Sequence, residues 1–169
     1  MLSAEFRAVI AGDCDASDAL GQAGMDVNKR TDADRWNLLH RVLVSVVIPP
    51  KVEMVRHLIR IGVDVNAQDR CLWTPLHFAA RTKNTSVVRM LLDAGAEVDA
   101  VNDQGITPLH LSLLAGKWNL ELVEVLLAAG ANPGCDRGGG TVRKFVTAVS
   151  NPLRDELLGL LERYAPQSP

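Results

Sequence analysis

Val55, Leu58 and Ile59 place apolar side chains at positions i, i+3 and i+4, and the pattern returns at Val88, Leu91 and Leu92. It recurs at Val123, Leu126 and Leu127, and again at Leu157, Leu160 and Leu161. Such spacing puts one apolar stripe on a helix, so four amphipathic helices are predicted. Gly24, Gly62, Gly95 and Gly130 each close an apolar run. A glycine there can take the left-handed conformation that ends a helix. A polar, turn-prone stretch, Asp64 to Asp69, then leads to Thr74-Pro75-Leu76-His77. Thr74 fits a helix cap, and Pro75 fits a first turn that needs no amide donor. A second, shorter helix is therefore predicted ahead of each striped one.

These signals share a period. Thr74-Pro75-Leu76-His77 returns 33 residues later as Thr107-Pro108-Leu109-His110, and a weaker copy, Asn37-Leu38-Leu39-His40, lies 37 residues upstream. The striped helices are separated by 33, 35 and 34 residues. Repeats of this length stack as helix pairs that bury a continuous core between neighbours. Composition agrees. The chain of 169 residues is 47% hydrophobic but only 4% aromatic, so the core is aliphatic. One compact domain is expected.

The motif Thr-Pro-Leu-His, the Val-x-x-Leu-Leu helix and the connector Asp64-Val65-Asn66-Ala67 resemble ankyrin repeats, closely over residues 64–132. The resemblance implies an all-α solenoid of helix-turn-helix units with finger loops and two capping repeats. The units run over 1–28 (N-terminal cap), 29–66, 67–99, 100–134 and 135–165 (C-terminal cap), with a tail at 166–169. Both terminal units depart from the motif, as caps must that show water a polar face; a complete short array is expected.

Candidate chemistry is sparse. Cys14, Cys71 and Cys135 are odd in number and far apart, which suggests neither disulfides nor a zinc site and favours a reducing compartment. His40, His77 and His110 hold one repeat position. The resemblance gives that residue a structural hydrogen bond between loops, and a metal site would want a third ligand. His57 stands alone on a striped helix and is expected to pack. Gly138-Gly139-Gly140-Thr141 lacks the Gly-Lys-Ser/Thr ending of a phosphate loop. No catalytic motif is present, and neither an enzyme nor a cofactor is expected. A net charge of −2 disfavours nucleic acid. The acidic start lacks a signal-peptide pattern, and Val42 to Ile48 is too short to span a bilayer. A cytoplasmic protein is expected.

Ankyrin arrays bind proteins through finger loops and first helices, and the resemblance places residues on that concave face. The candidate contacts are Trp36 and Arg41 in one unit, Arg70, Cys71, Leu72, Trp73, Phe78 and Arg81 in the next, and Gln104, Ile106, Leu111 and Leu114 in the third. Trp36, Trp73 and Ile106 share one register. Buried Trp and Arg are frequent energetic anchors, although Trp also packs for stability. A standard finger has glycine where this chain has Arg35 and Leu72, so those two fingers are expected to bend differently from the one with Gly105. Loops lengthened around Pro49-Pro50 and Lys117-Trp118 project opposite the fingers, with Trp118 a secondary contact candidate. The implied function is occlusion of a protein partner, as a monomer or in a one-to-one complex. An immunity protein that neutralises a bacterial toxin fits the resemblance. The alternatives are an inhibitor of a eukaryotic kinase and an adaptor bridging two proteins.

Overall fold

The computed structural model describes residues 26–44, 50–114, 117–134 and 141–164. Gly24, Cys14 and most of the first unit lie outside them, as do the Pro49 end of one insertion, Cys135, the Gly138–Gly140 run and the tail. The described residues form eight helices: α1 (Leu38–Leu43), α2 (Val52–Arg60), α3 (Pro75–Arg81), α4 (Thr85–Asp93), α5 (Pro108–Leu114), α6 (Leu120–Ala128), α7 (Val142–Ala148) and α8 (Arg154–Arg163). No strand occurs among the described residues. Helices α1, α3 and α5 stack in one layer, α2, α4, α6 and α8 in the other, and α7 packs on α8.

Local chemistry sets the helix ends. Asn84 Oδ1 accepts from Val87 N and Asn119 Oδ1 from Leu122 N, each at 3.2 Å, which caps α4 and α6. Thr141 Oγ1 accepts from Lys144 N at 3.2 Å and caps α7. Pro75 and Pro108 occupy first turns, as expected. Gly62, Gly95 and Gly130 follow α2, α4 and α6 with φ of 85°, 87° and 95°. Each satisfies a late carbonyl of its helix, for example Gly62 N to Ile59 O at 3.1 Å.

The aliphatic stripes meet between the layers. Leu39, Leu58, Leu76, Leu91, Leu109, Leu126 and Leu157 are fully buried, one from nearly every helix. Truncating such a leucine to alanine costs about 2–5 kcal/mol. Connectors add polar rungs. Asn28 Nδ2 donates to Gly62 O while its Oδ1 accepts from Asp64 N. Asn66 repeats both bonds with Gly95 O and Glu97 N. The polarity of the connector was legible in the sequence, but not this exchange between neighbouring units.

Two expectations are corrected. Arg35 and Leu72 take φ of 59° and 60°, close to the 73° of Gly105. The Leu72 and Gly105 fingers therefore share one turn, while the Arg35 finger is one residue longer and closes instead with Arg35 N donating to Thr31 O; both non-glycine residues bear the strain of the left-handed region. The turn is fixed by bonds that do not depend on glycine: Leu72 N donates to Asp69 O and Gly105 N to Asn102 O. Trp118 is not a contact on the back face. It is 5% exposed, and its Nε1 donates to Leu113 O at 3.0 Å.

Candidate functional site

Each finger is closed by an equivalent pair of bonds. Thr31 N, Asp69 N and Asn102 N donate to the carbonyls of Trp36, Trp73 and Ile106, at 2.9, 3.0 and 3.1 Å. The side chain of the first residue returns the bond: Thr31 Oγ1, Asp69 Oδ1 and Asn102 Oδ1 accept from Trp36 N, Trp73 N and Ile106 N. The first finger holds one more residue than the others. Neighbouring fingers are tied by Arg70 N to Asp34 O and Asp103 N to Cys71 O. Trp36, Trp73 and Ile106 thus sit in equivalent places along the stack.

Histidines fix the fingers to the helices. His40 Nε2 lies 2.9 Å from Trp73 O, and His77 Nε2 3.0 Å from Ile106 O. A carbonyl only accepts, so each Nε2 donates. His77 Nδ1 accepts from Thr74 N at 3.1 Å, which defines a neutral ring. Burial lowers the pKa of His77 to about 4, against smaller raising effects from the Ile106 carbonyl and Asp69. Burial also lowers His40. His57, buried on α2, takes a bond from Arg60 at its Nδ1. These are structural roles.

The face between fingers and first helices is built on an aromatic cluster. The Trp73 and Phe78 rings lie 5.2 Å apart, and Trp36 meets Phe78 edge-on at 6.3 Å. Trp36 Nε1 donates to Asp69 Oδ2 at 3.2 Å. The Arg81 guanidinium carbon lies 5.2 Å from the Trp73 centroid and 5.1 Å from that of Phe78, within cation–π range. Arg81 Nη2 donates to Val44 O at the end of α1. Arg41 is half-buried, and its Nε has no hydrogen-bond partner among the described residues.

The candidate contacts separate into floor and surface. Phe78 and Leu111, read from the sequence as contacts, are buried and form the floor. Trp36, Trp73, Ile106, Arg41 and Arg81 are half-buried. Leu114 is 50% exposed and Leu72 40%, the large apolar side chains most open to solvent among the described residues. Arg70, Cys71 and Gln104 are exposed at the fingers, with Arg70 Nη2 donating to Asp32 O. Nearby Asp103 raises the Cys71 thiol pKa, with slight desolvation and Asp69 adding to it. The thiol stays protonated at neutral pH and is a poor nucleophile. Sequence reading missed that Arg81 reaches back to α1, because nothing in the spacing shows the path of a long side chain.

Among the described residues, no three His, Cys, Asp or Glu side chains group as a metal site. No described helix is long and apolar enough to cross a membrane. A family model described as Ankyrin repeats (3 copies) matches residues 5–102 and 46–136. The chain is 43% identical over 82 residues to the tyrosine-protein kinase Shark of Drosophila melanogaster, a match covering 48% of this chain and 8% of that protein. It is 39% identical over 104 residues to zygote-specific protein 3 of Chlamydomonas reinhardtii, covering 61% of this chain and 26% of that protein. It is 36% identical over 69 residues to protein phosphatase 1 regulatory subunit 27 of Homo sapiens, covering 41% of this chain and 45% of that protein. The chain therefore spans less than half the length of each of these relatives.

Proposed function

Because this chain belongs to the ankyrin-repeat family, we propose that it is a non-catalytic binding module that occludes a protein partner with its finger and first-helix face. One observation carries this reading. Leu72 and Leu114 remain open to solvent beside half-buried Trp73 and Arg81, on a floor already satisfied by packing. Exposed apolar groups rimmed by polar ones mark contact surfaces.

The narrowest form of the proposal is an immunity protein that neutralises a toxin in a tight one-to-one complex. The second form is a regulator of a eukaryotic signalling enzyme such as a kinase. It draws support from a phosphatase regulatory subunit among the similar proteins. The adaptor form needs a second patch, and Trp118 no longer supplies one, since it is buried.

The test is affinity capture with wild-type protein and with Leu72→Asp/Leu114→Asp, both checked for helical signal and melting. Both positions are exposed, so the variant leaves the core intact. A stoichiometric partner held by wild type and lost by the folded variant supports occlusion through this face. A partner held equally by both refutes it. The partner's own activity, measured with stoichiometric protein, separates inhibitor from adaptor.

A further inference from the structure

The four described first helices, α1, α3, α5 and α7, contain no Asp or Glu, while their cations are Arg41, Arg81, Arg143 and Lys144. The second helices, by contrast, carry carboxylates on every one, from Glu53 on α2 to Glu162 on α8. The second helices also carry Arg56, Arg60, Arg89, Arg154 and Arg163, so among the described residues it is the first-helix layer that bears charge of one sign, in a chain whose net charge is only −2. Arg143 is paired with Glu162 at 3.4 Å. Arg41 and Arg81 have no carboxylate partner among the described residues.

These two cations are neighbours in the fold. Arg81 Nη2 reaches Val44 O, and Val44 stands one turn beyond Arg41. Arg81 has a carbonyl and two ring faces for company, and the Nε atoms of both Arg41 and Arg81 are shut off from solvent with no acceptor among the described residues. A guanidinium partly withdrawn from water without a counter-charge is unfavourable, and a carboxylate accepting from its outer nitrogens offsets part of that cost. Leu114 holds the position on α5 that Arg81 holds on α3, so it borders the same patch and is half exposed.

We propose that this face recognises an acidic peptide segment of a protein partner, with a Glu or Asp carboxylate pairing with Arg81 and Arg41 and an adjacent apolar side chain resting on Leu114. The proposal rests on the binding reading above and adds the chemistry of the partner. The finger tips carry Asp32, Asp34 and Asp103. The acidic group is therefore seated at the first helices, and residues facing the tips are neutral or basic.

The test is selection of a random-peptide display library on the full chain, followed by anisotropy on the best synthetic peptide. Four proteins are compared: wild type, Arg41→Gln, Leu114→Lys and Leu114→Glu. The Arg41 Nε has no hydrogen-bond partner among the described residues and Leu114 is exposed, so the variants fold; melting curves verify this. Selected peptides should be rich in Glu or Asp beside Leu or Phe. Changing the acid to its amide should weaken binding about tenfold, as should Arg41→Gln. Leu114→Glu should weaken it more than Leu114→Lys, since only the former adds a repelling charge. Neutral or basic peptides that still depend on Leu114 would overturn the acidic inference and leave the binding face standing. Peptides indifferent to all four proteins would overturn both. An empty selection would overturn the peptide form of the inference, while the capture experiment still decides the binding face.

Discussion

The Nε2–H of His77 donates to the carbonyl of Ile106 at 3.0 Å, joining the first helix of one unit to the finger of the next. His40 makes the same bond to Trp73. The residue type that most invites a catalytic reading is thereby spent on holding the fingers against the first helices.

Burial of the His77 ring, only partly offset by that bond, makes stability depend on pH. The pKa of His77 is about 4 in the folded protein, against about 6.5 for an unperturbed histidine. Between these values the unfolded chain binds more protons, so stability rises with pH there. The contribution is complete above pH of about 6.5 and is lost as pH falls toward 4, for a total of about 3 kcal/mol. Urea unfolding at a series of pH values should show this loss, and His77→Gln should flatten it. An unchanged slope in the variant would remove His77 as its source.

Leu72 combines positive φ with an exposed apolar side chain. Leu72→Gly should relieve strain of about 1 kcal/mol and raise Tm by a few degrees. Partner affinity should fall in the same variant, because glycine removes the contact. A variant that is neither more stable nor weaker in binding would contradict both roles.

Trp118 and Leu114 should separate packing from surface. Trp118→Ala should cost about 3–5 kcal/mol in urea unfolding, since the indole is buried and bonded to Leu113 O. Leu114→Ala should change stability by less than about 0.5 kcal/mol. Equal losses at the two sites would mean that Leu114 is covered by the chain itself.

Trp36→Phe keeps the ring against Phe78 but removes the donor to Asp69 Oδ2. A bond to a charged acceptor is worth about 1.5–3 kcal/mol, and the half-exposed site argues for the lower end. Chemical denaturation should show a loss of about 1.5 kcal/mol. No loss would show that water replaces the indole.

Much of the fold was legible because it repeats. The Thr-Pro-Leu-His motif, the Val-x-x-Leu-Leu stripe and the closing glycine each encode a local event, and three signals in one period define helix pairs. The finger turns at Arg35 and Leu72 were not legible. Residue preference disfavours positive φ there, yet backbone bonds around Asp69 and Thr31 impose it. The candidate face was legible as a set of positions, not as a division between floor and surface. Phe78 and Arg81 stand three residues apart on α3, but one is covered by neighbouring rings and the other lies over them. That distinction depends on side chains from adjoining units.

The most direct measurement is hydrogen exchange, read by mass spectrometry, on the chain alone and bound to its captured partner. The account predicts added protection at the fingers around residues 69–73 and 102–106 and at the ends of α3 and α5. Helices α2, α4 and α6 should exchange as in the free protein. Protection concentrated on those second helices, with the fingers unchanged, would contradict it.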